Sequence, residues 1–330
     1  MGKRILVVDV AAHEGGALSI LQHYYQQAVA DTSGRRYVFC VSLPALTDTP
    51  HVTVLRFPWV KKSWFHRLWF DHVTIQRVLR RYTPDEILSL QNITVARTGL
   101  PQTLYLHQPL PFCGISFSLR QNPKFWVYQH MIGRRILRSV RQASRVIVQT
   151  QWMKRAACEK AGVSGDTIVI EPPQAAVQPA GRFDAAGWER SFFFPASPYV
   201  YKNHAAILQA MLLLRQEGLT DYRVRFTLAP GQLPLTPEQE VLRPQLQLEG
   251  AMPPAEVMKE YTRSVLLFPS YIETFGLPLL EARMSGSPIL ASDCPFSHEI
   301  LDDYDGVSYF DPFRPEELAA LMKQCLEAGL

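Results

Sequence analysis

Short runs of apolar, largely β-branched residues alternate with segments of helical spacing along all 330 residues, and this alternation restricts the fold more than any other feature. Short apolar runs bounded by turn residues predict strands, and apolar residues recurring every three or four positions predict helices. Alternating strands and helices favour parallel sheets covered by helices on both faces. The chain is therefore predicted to be an α/β protein.

Strands are predicted at 5–10, 37–43, 52–57, 86–90, 103–107, 145–150, 192–197, 224–229, 246–250, 265–270 and 288–293. Helices are predicted at 16–30, 64–82, 127–143, 151–162, 203–217, 254–263, 277–286 and 315–328. The opening MGKRILVVDV is predicted to be the first strand rather than a signal peptide, because its apolar run breaks at Asp9 and no small-residue cleavage site follows. The sequence has no stretch of eighteen apolar residues, so no membrane-spanning helix is predicted.

The length is too great for one ordinary core and suits two domains. The segment 170–187 is rich in Pro, Ala and Gly and has no period, which is typical of a linker. We predict an N-terminal domain at 1–172, a linker at 173–190 and a C-terminal domain at 191–330. Two doubly wound domains are expected to face each other across a cleft at the carboxyl ends of their strands, where such folds bind ligands.

The formal charge of +4 conceals a division between the two halves. Residues 1–170 carry 22 Lys and Arg against 9 Asp and Glu, whereas residues 171–330 carry 12 against 21. The halves are therefore expected to face different partners, and the overall balance does not favour a nucleic-acid binder. Five scattered cysteines without a CxxC pair favour reduced thiols in a cytoplasmic protein and argue against a zinc cluster.

The most informative segment is 265–299, VLLFPSYIETFGLPLLEARMSGSPILASDCPFSHE. It predicts a buried strand, a loop that carries Glu273, and a helix that begins near Leu277, with Pro278 tolerated in the first turn. Gly276 removes a side chain where a ligand could approach the backbone. The free amides around this helix start and the helix dipole predict an anion site at Thr274, Phe275, Gly276 and Leu277. Glu281, about one turn into the helix, can accept hydrogen bonds from vicinal ribose hydroxyls.

This segment resembles the C-terminal signature of retaining GT-B glycosyltransferases of family 4, the glycosyl transferases group 1, in which two glutamates are separated by seven residues. Glu273 and Glu281 have that spacing, and Glu299 follows in register. The resemblance, of O-antigen, capsule or exopolysaccharide type, implies two Rossmann-like domains. The N-terminal domain is implied to bind the acceptor, and the C-terminal domain is implied to bind the donor, a nucleoside-diphosphate sugar.

Two further segments of the second half are similar to the same family. FFFPASPYVYKNHAAILQAM at 192–211 implies that Lys202 contacts the donor diphosphate, where a fixed ammonium stabilises the charge that builds on the leaving group. The family often has an arginine about five positions earlier, where this chain has Ser197. LQLEGAMPP resembles the nucleotide-base segment, so the backbone of Gly250, Ala251 and Met252 is implied to edge the base.

The N-terminal half carries weaker signals. Gly15 and Gly16 are predicted to open a helix after the first strand, and in the resembled family this glycine loop lies against the donor diphosphate and the acceptor. TLYLHQPLPF at 103–112 resembles a His–Gln–Pro–Leu–Pro–Phe loop of O-antigen-type members. His107 at the end of this strand could hydrogen-bond the transferred sugar, or it could be structural, and both interpretations stay open.

Two segments of the basic half are candidates for contact with an anionic membrane. FPWVKKSWFHRLWF at 57–70 interleaves aromatic rings with cations, and a helix within 124–145 carries arginines at 134, 138, 141 and 145 that are spaced for one face. Both patterns suit the headgroup layer of a bilayer. Core aromatics and a solvated arginine face are the alternative. The predicted contacts are Trp59, Lys61, Lys62, Trp64, Arg67 and Trp69, together with Arg134, Arg138 and Arg141.

Asp303-Tyr304-Asp305 has the DxD form of the metal-diphosphate motif of GT-A enzymes, but it lies in LDDYDGV, which is typical of a solvated turn. No other carboxylate cluster predicts a divalent ion. We therefore expect no metal and no cofactor, with Lys202 and helix amides doing the work that a metal does elsewhere.

The resemblance implies a metal-independent, hexosyltransferase-type enzyme that retains the anomeric configuration by front-face attack. The departing phosphate would accept the proton of the acceptor hydroxyl, and Glu273 would position the donor sugar. A lipid-linked glycan is the expected acceptor, at the inner face of the plasma membrane. The family usually adds a final helix that crosses back to the first domain. Two alternatives stay open, namely a sugar-nucleotide epimerase and a non-catalytic partner of another transferase.

Overall fold

The structure is a computed structural model that describes residues 2–12, 15–173, 175 and 177–328. The chain divides into two compact units, Met1–Glu171 (the N-terminal unit) and Pro172–Leu330 (the C-terminal unit). Two residues of the predicted linker, 174 and 176, lie outside the described residues. Each unit contains one parallel sheet with helices packed against it.

The sheet of the N-terminal unit has seven parallel strands in the order β3-β2-β1-β4-β5-β6-β7. The strands are β1 (Arg4–Asp9), β2 (Arg36–Val41), β3 (Val52–Arg56), β4 (Glu86–Ser89), β5 (Gln102–Tyr105), β6 (Arg145–Val148) and β7 (Ile168–Ile170). The helices are α1 (Gly15–Ala30), α2 (Trp64–Trp69), α3 (Ile75–Tyr82), α4 (Pro123–Val127), α5 (Gly133–Gln142) and α6 (Gln151–Ala161). π-helical turns at Phe70–Thr74 and Tyr128–Ile132 join α2 to α3 and α4 to α5.

The core of this unit lies on both faces of the sheet because successive residues of a strand point to opposite sides. Leu6 and Val8 of β1 pack with Phe70 on one face, and Ile5 and Val7 pack with a second cluster around α1 on the other. Burial on both faces explains why the strands read as nearly continuous apolar runs.

The sheet of the C-terminal unit has six parallel strands in the order β10-β9-β8-β11-β12-β13. The strands are β8 (Ser191–Phe194), β9 (Arg223–Phe226), β10 (Leu246–Leu248), β11 (Val265–Phe268), β12 (Ile289–Ser292) and β13 (Val307–Phe310). The helices are α7 (His204–Gln216), α8 (Pro254–Glu260), α9 (Leu277–Met284), α10 (Pro295–Leu301) and α11 (Pro315–Ala328). All four residues of β8, of β11 and of β12 are buried.

Both sheets are doubly wound, and their order reverses between the first and fourth strands of each unit. Such a reversal leaves a crevice at the carboxyl ends of the two central strands, where ligands bind in open α/β sheets. The reversal lies between β1 and β4 in the N-terminal unit and between β8 and β11 in the C-terminal unit. These two points position the candidate functional residues.

The predicted elements are present, with three additions and one correction. The short strands β7 and β13 and the seven-residue helix α10 were not predicted, because a run of three to seven residues gives little periodicity. Arg145 does not share a helix face with Arg134, Arg138 and Arg141. The helix ends at Gln142, the next residue is extended, and Arg145 begins β6.

Candidate active site

The reversal point of the C-terminal unit carries an ion pair. Lys202 ends a short 3₁₀ turn after β8, and Glu273 lies on the loop after β11. The Lys202 ammonium donates a hydrogen bond to Oε1 of Glu273. Both side chains are largely buried, at 16% and 14% exposure, so the pair is shielded from bulk water and interacts more strongly than a surface pair.

Hydrogen bonds to backbone carbonyls hold the two loops together. Asn203 has a left-handed backbone (φ 61°), and its Nδ2 donates to the carbonyl oxygens of Pro269 at 3.2 Å and Pro312 at 2.7 Å. The amide of Tyr271 donates to the carbonyl of Tyr201 at 3.1 Å. The loops that follow β8, β11 and β13 are therefore tied together beside the Lys202–Glu273 pair.

Gly276 precedes α9 with φ 94°, a backbone conformation that residues other than glycine rarely adopt. A Cβ at this position would lie 3.2 Å from Cδ1 of Leu279 and 3.4 Å from Cζ of Phe268. Thr274 and Phe275 lie in the loop that leads to Gly276, and Leu277 is the first residue of the helix. The predicted anion site at these four residues therefore lies around the start of α9, where the helix dipole favours an anion.

Glu281 lies on α9 and is held by a tyrosine that the sequence did not single out. The hydroxyl of Tyr261, which is completely buried, donates to Oε2 of Glu281 at 3.1 Å. Burial raises the pKa of Glu281, and the Tyr261 hydrogen bond opposes this rise. Burial and the neighbouring carboxylate raise the pKa of Tyr261 well above its ordinary value, so this side chain remains a donor. The other oxygen, Oε1, has no hydrogen bond within the described residues.

His204 begins α7 directly after Asn203 and is buried between two rings. Its ring centroid lies 5.0 Å from that of Phe194 and 5.6 Å from that of Phe226. Burial, with a smaller effect of the Lys202 charge, lowers the pKa of His204 to about 4. The imidazole is therefore neutral at physiological pH, and the ammonium of Lys202 is not opposed by a second cation there.

The predicted base segment follows β10, two strands from β8. Gly250 has φ 73°, and its amide donates to the carbonyl of Leu228 at 2.9 Å. Ala251 is exposed and Met252 half-buried in the loop before α8. The backbone of this segment is thus presented at the carboxyl edge of the same sheet as Lys202 and Glu273.

The glycine loop of the N-terminal unit opens α1 as predicted. Gly15 has φ 59°, and a Cβ at Gly15 or Gly16 would meet no atom within 4 Å. The two residues before them, 13 and 14, lie outside the described residues. Gly15 is thus required by its backbone conformation rather than by crowding.

His107 lies just after β5 at the carboxyl edge of the N-terminal sheet. Its backbone amide donates to Oδ1 of Asn92 at 2.7 Å, and its Nε2 lies 3.1 Å from the carbonyl oxygen of Leu90. A carbonyl only accepts hydrogen bonds, so Nε2 carries the proton in this pair. Burial lowers the pKa of His107 to about 4, which leaves a neutral ring whose Nδ1 is an acceptor.

The aromatic and basic segment at 57–70 is divided between core and surface. Trp59 and Phe70 pack together with their ring centroids 6.4 Å apart, whereas Trp64, Phe65 and Trp69 are exposed. Arg67 pairs with Asp71, and Lys61 donates to the carbonyl of Ala11. The remaining predicted membrane contacts are all exposed, namely Lys62, Arg134, Arg138 and Arg141. Arg141 also donates a hydrogen bond to the carbonyl of Ala161.

The DxD segment lies in the turn between α10 and β13. Asp303 pairs with Arg283 at 2.7 Å, and the hydroxyl of Tyr304 donates to the carbonyl of Ser287. In the part of the chain that the structure describes, no group of three or more His, Cys, Asp or Glu side chains could hold a metal ion. No described helix is long and apolar enough to cross a membrane.

Glu273 and Lys202 are the predicted residues that the structure brings into direct contact, and Glu281 lies on the helix that Gly276 begins. Tyr261 and the double hydrogen bond of Asn203 were missed. Tyr261 gives no local signal, because it meets Glu281 only in the folded unit. The asparagine at the start of the predicted helix 203–217 was a usable signal, since asparagine tolerates the left-handed region.

Residues 189–329 match the model of the family described as glycosyl transferases group 1. The chain matches no curated protein. Among solved structures, sucrose-phosphate synthase from Thermosynechococcus elongatus is similar with a TM-score of 0.70 and 16% identity, over 99% of this chain and 90% of that chain.

Two further structures are similar over nearly the whole chain. WaaG, a glycosyltransferase involved in lipopolysaccharide biosynthesis, has a TM-score of 0.66 and 12% identity, over 98% of this chain and 91% of that chain. Anabaena HepE in complex with UDP and glucose has a TM-score of 0.63 and 16% identity, over 98% and 90%. The chain therefore has the GT-B fold of two Rossmann-like domains. The family match in the C-terminal unit and this fold together support a GT-B glycosyltransferase.

Proposed function

We propose that the chain is a retaining glycosyltransferase that moves a sugar from a nucleoside-diphosphate sugar to a hydroxyl of a glycan acceptor, as in bacterial surface polysaccharide synthesis. The observation that carries this proposal is the shielded Lys202–Glu273 pair beside the start of α9. HepE, which has the same fold, was solved with UDP and with UDP-glucose, and this supports a nucleotide-sugar donor.

The ion pair prepares two groups for different parts of the donor. An incoming diphosphate would compete with Glu273 for the ammonium of Lys202. Lys202 and the first-turn amides of α9 would then hold the diphosphate, and Lys202 would stabilise the charge that develops on the leaving group. The freed carboxylate of Glu273 would accept hydrogen bonds from hydroxyls of the donor sugar, which makes it a positioning group rather than a nucleophile.

Glu281 is proposed to bind the ribose. Its Oε2 accepts a hydrogen bond from Tyr261, and its Oε1 has no hydrogen bond within the described residues. Because the Tyr261 hydrogen bond already fixes the carboxylate, less side-chain conformational entropy is lost when it accepts from a ribose hydroxyl. The backbone of Gly250, Ala251 and Met252 is proposed to edge the base.

In the N-terminal unit, Gly15 and Gly16 are proposed to lie against the diphosphate, and His107 is proposed to contact the transferred sugar. The neutral ring of His107 supports this role, because its Nδ1 can accept from a sugar hydroxyl while Nε2 is fixed on Leu90.

We propose that the reaction needs no divalent metal. Lys202 and the amides at the start of α9 offer positive potential where the diphosphate charge would grow. The Asp303 carboxylate of the DxD segment is engaged with Arg283. Turnover in excess EDTA at the same rate as in Mg²⁺ would support this, and loss of turnover in EDTA would contradict it.

A donor panel tests the proposed function. UDP-, GDP- and dTDP-sugars are added separately, and the melting temperature is measured with each. One nucleotide class is expected to raise it. Turnover with that donor is then followed by NMR of the product anomer. A product with the donor's anomeric configuration supports a retaining transferase. An inverted product, or epimerised donor without transfer, would overturn the proposal.

The exposed rings of α2 support a second proposal, attachment of the N-terminal unit to the inner, anionic face of a membrane. Trp64 and Phe65 are 66% and 70% exposed, and Trp69 lies one turn further along. Asp71 pairs with both Arg67 of α2 and Arg135 of α5, which joins the segment 57–70 to the helix that carries Arg134, Arg138 and Arg141. Exposed rings in a segment rich in cations suit the interface of an anionic bilayer.

Flotation with liposomes of phosphatidylcholine and phosphatidylglycerol tests the membrane proposal. The protein is expected to float at low salt, and the variant W64A/F65A/W69A is expected to remain in the bottom fraction. Lys259→Ala, which removes an exposed lysine of the C-terminal unit, is the control and should float. A wild-type protein that stays at the bottom at low salt would overturn the proposal.

A further inference from the structure

Four aromatic rings lie in two pairs at the carboxyl edge of the C-terminal sheet, and one ring of each pair is exposed while the other is half-buried. Tyr199 and Tyr201 stack with ring centroids 5.4 Å apart and an interplanar angle of 13°. Tyr271 and Phe313 lie 5.2 Å apart at 45°. Tyr199 is 43% exposed and Phe313 is 62% exposed. We refer to these four rings as the aromatic patch.

The two ring pairs are linked through the backbone, and both lie on the tied loops beside the ion pair. The amide of Tyr271 donates to the carbonyl of Tyr201, which joins the two ring pairs through their backbones. Asn203 binds the carbonyl of Pro312, the residue before Phe313. Lys202 directly follows Tyr201, and Glu273 lies two residues after Tyr271. The rings are thus carried by the same tied loops that position Lys202 and Glu273.

The patch extends away from the proposed base segment. In the sheet order, β10 and its Gly250 loop lie on one side of β8, whereas β11, β12 and β13 lie on the other. Tyr271 follows β11 and Phe313 follows β13. A donor whose base lies at Gly250 and whose diphosphate lies at Lys202 therefore leaves the patch uncovered by its nucleoside.

The chemistry of the patch suits a sugar ring. Exposed aromatic side chains beside a proposed site offer faces that a ligand can cover, and covering them removes apolar surface from water. The negative face of an aromatic ring attracts the weakly positive C–H groups on the apolar face of a pyranose. The tyrosine hydroxyls can at the same time exchange hydrogen bonds with the sugar hydroxyls.

We propose that the aromatic patch binds a pyranose ring of the glycan acceptor by stacking, and so helps to select the acceptor. This inference rests on the proposed function, because it assigns the patch to the acceptor of that reaction. The donor is expected to bind without it, since the ion pair, Gly276 and Glu281 lie outside the four rings.

Saturation-transfer NMR tests this inference with methyl β-D-glucopyranoside, methyl β-D-galactopyranoside and cellobiose as probes, in the presence of saturating UDP. We expect transfer to the C–H protons of at least one probe. The variant Y199A/F313A should bind that probe about tenfold more weakly, as expected for the loss of ring stacking. The variant Y199F/F313Y keeps the rings and should retain binding.

The melting-temperature shift caused by the donor separates this inference from the proposed function. It should be the same in wild type and Y199A/F313A. Absence of transfer to every probe, or equal transfer in Y199A/F313A, would overturn the inference while leaving the donor shift intact. A donor shift lost in Y199A/F313A would also overturn it, since the rings would then belong to the donor site. Absence of any donor shift in wild type would instead count against the proposed function.

Discussion

The two units share one strand order but differ in the electrostatics of their reversal points. In the C-terminal unit, Lys202 and Glu273 are both charged groups and meet in a shielded pair. In the N-terminal unit, burial raises the pKa of Asp9, at the end of β1, to about 7 and lowers that of His107 to about 4. The same fold therefore places a shielded ion pair in one unit and groups whose charge is suppressed by burial in the other.

This difference indicates a division of labour. Charge stabilisation requires fixed ions or dipoles aimed at the place where charge develops, and the C-terminal unit supplies them. Neutral acceptors and open glycines suit hydroxyl groups and close backbone approach, and the N-terminal unit supplies those. The following predictions test this contrast, beginning with the largest expected effect.

Removal of the ammonium at the C-terminal reversal point is expected to have the largest effect. Lys202→Ala should lower kcat by about 100-fold or more, because the leaving diphosphate loses its cation and Glu273 is left without its partner. Steady-state kinetics with the identified donor measures the loss. Lys259→Ala is the matched control and should leave kcat unchanged. If Lys202→Ala turns over like wild type, the catalytic assignment is wrong.

The glycines that begin α1 and α9 offer a direct comparison of the two units. Gly276→Ala faces both a left-handed backbone and close contacts with Leu279 and Phe268, whereas Gly15→Ala faces only the backbone conformation. We expect Gly15→Ala to cost about 1 kcal/mol and Gly276→Ala at least twice as much. Urea unfolding measures both. Gly276→Ala should also weaken donor binding, and equal costs in the two variants would contradict the contrast.

The Tyr261–Glu281 hydrogen bond is expected to set the pH at which donor affinity falls. Glu281 must be ionised to accept from two donors, and its pKa is raised by burial, so affinity should fall as the pH drops through that raised value. Tyr261→Phe removes the hydrogen bond that opposes the rise. The fall should then begin at a higher pH than in wild type.

Donor dissociation constants measured from pH 4 to pH 8 by calorimetry check this expectation. Tyr222→Phe, which removes a buried hydroxyl elsewhere in the same unit, is the control and should follow the wild-type profile. A Tyr261→Phe profile that coincides with the wild-type profile would show that Glu281 does not bind the donor through its carboxylate.

The last prediction concerns stability in acid. The pKa of His204 is about 4 in the folded protein against an ordinary value of 6.5, so between these values the unfolded chain binds a proton that the folded chain excludes. Stability therefore falls as the pH drops from 6.5 to 4, with about 2–3 kcal/mol from this residue. His204→Phe should lose less stability over that interval.

Urea unfolding at pH 7 and pH 4 measures the difference, and only the change between the two pH values is compared, because the substitution also alters packing. Asp9 acts in the opposite direction: its pKa is raised, so its contribution is present at low pH and is lost as the pH rises towards 7. Asp9→Asn should therefore steepen the acid loss. An unchanged loss in His204→Phe would show that His204 is not buried as a neutral ring.

Much of the C-terminal site follows from local sequence. β11, Gly276 and the first turn of α9 follow one another closely in sequence, so the backbone alone places Glu273, the glycine and the helix amides near each other. The N-terminal segment at 57–70 could not be resolved in this way, because core and surface aromatics look alike in sequence. Trp59 packs on Phe70, whereas Trp64 and Phe65 point to solvent, and only packing decides this.

The sequence by itself determined the α/β alternation, the two units and the glutamates on either side of a helix start, because strand and helix periodicities and glycine geometry are local properties. Tertiary structure decided the contacts between distant segments. Lys202 meets Glu273, Tyr261 meets Glu281, and Asn203 ties three loops, through pairs separated by 20 to 109 residues. Such contacts depend on how the sheet orders its strands, and no local pattern of residues encodes which side chains that order brings together.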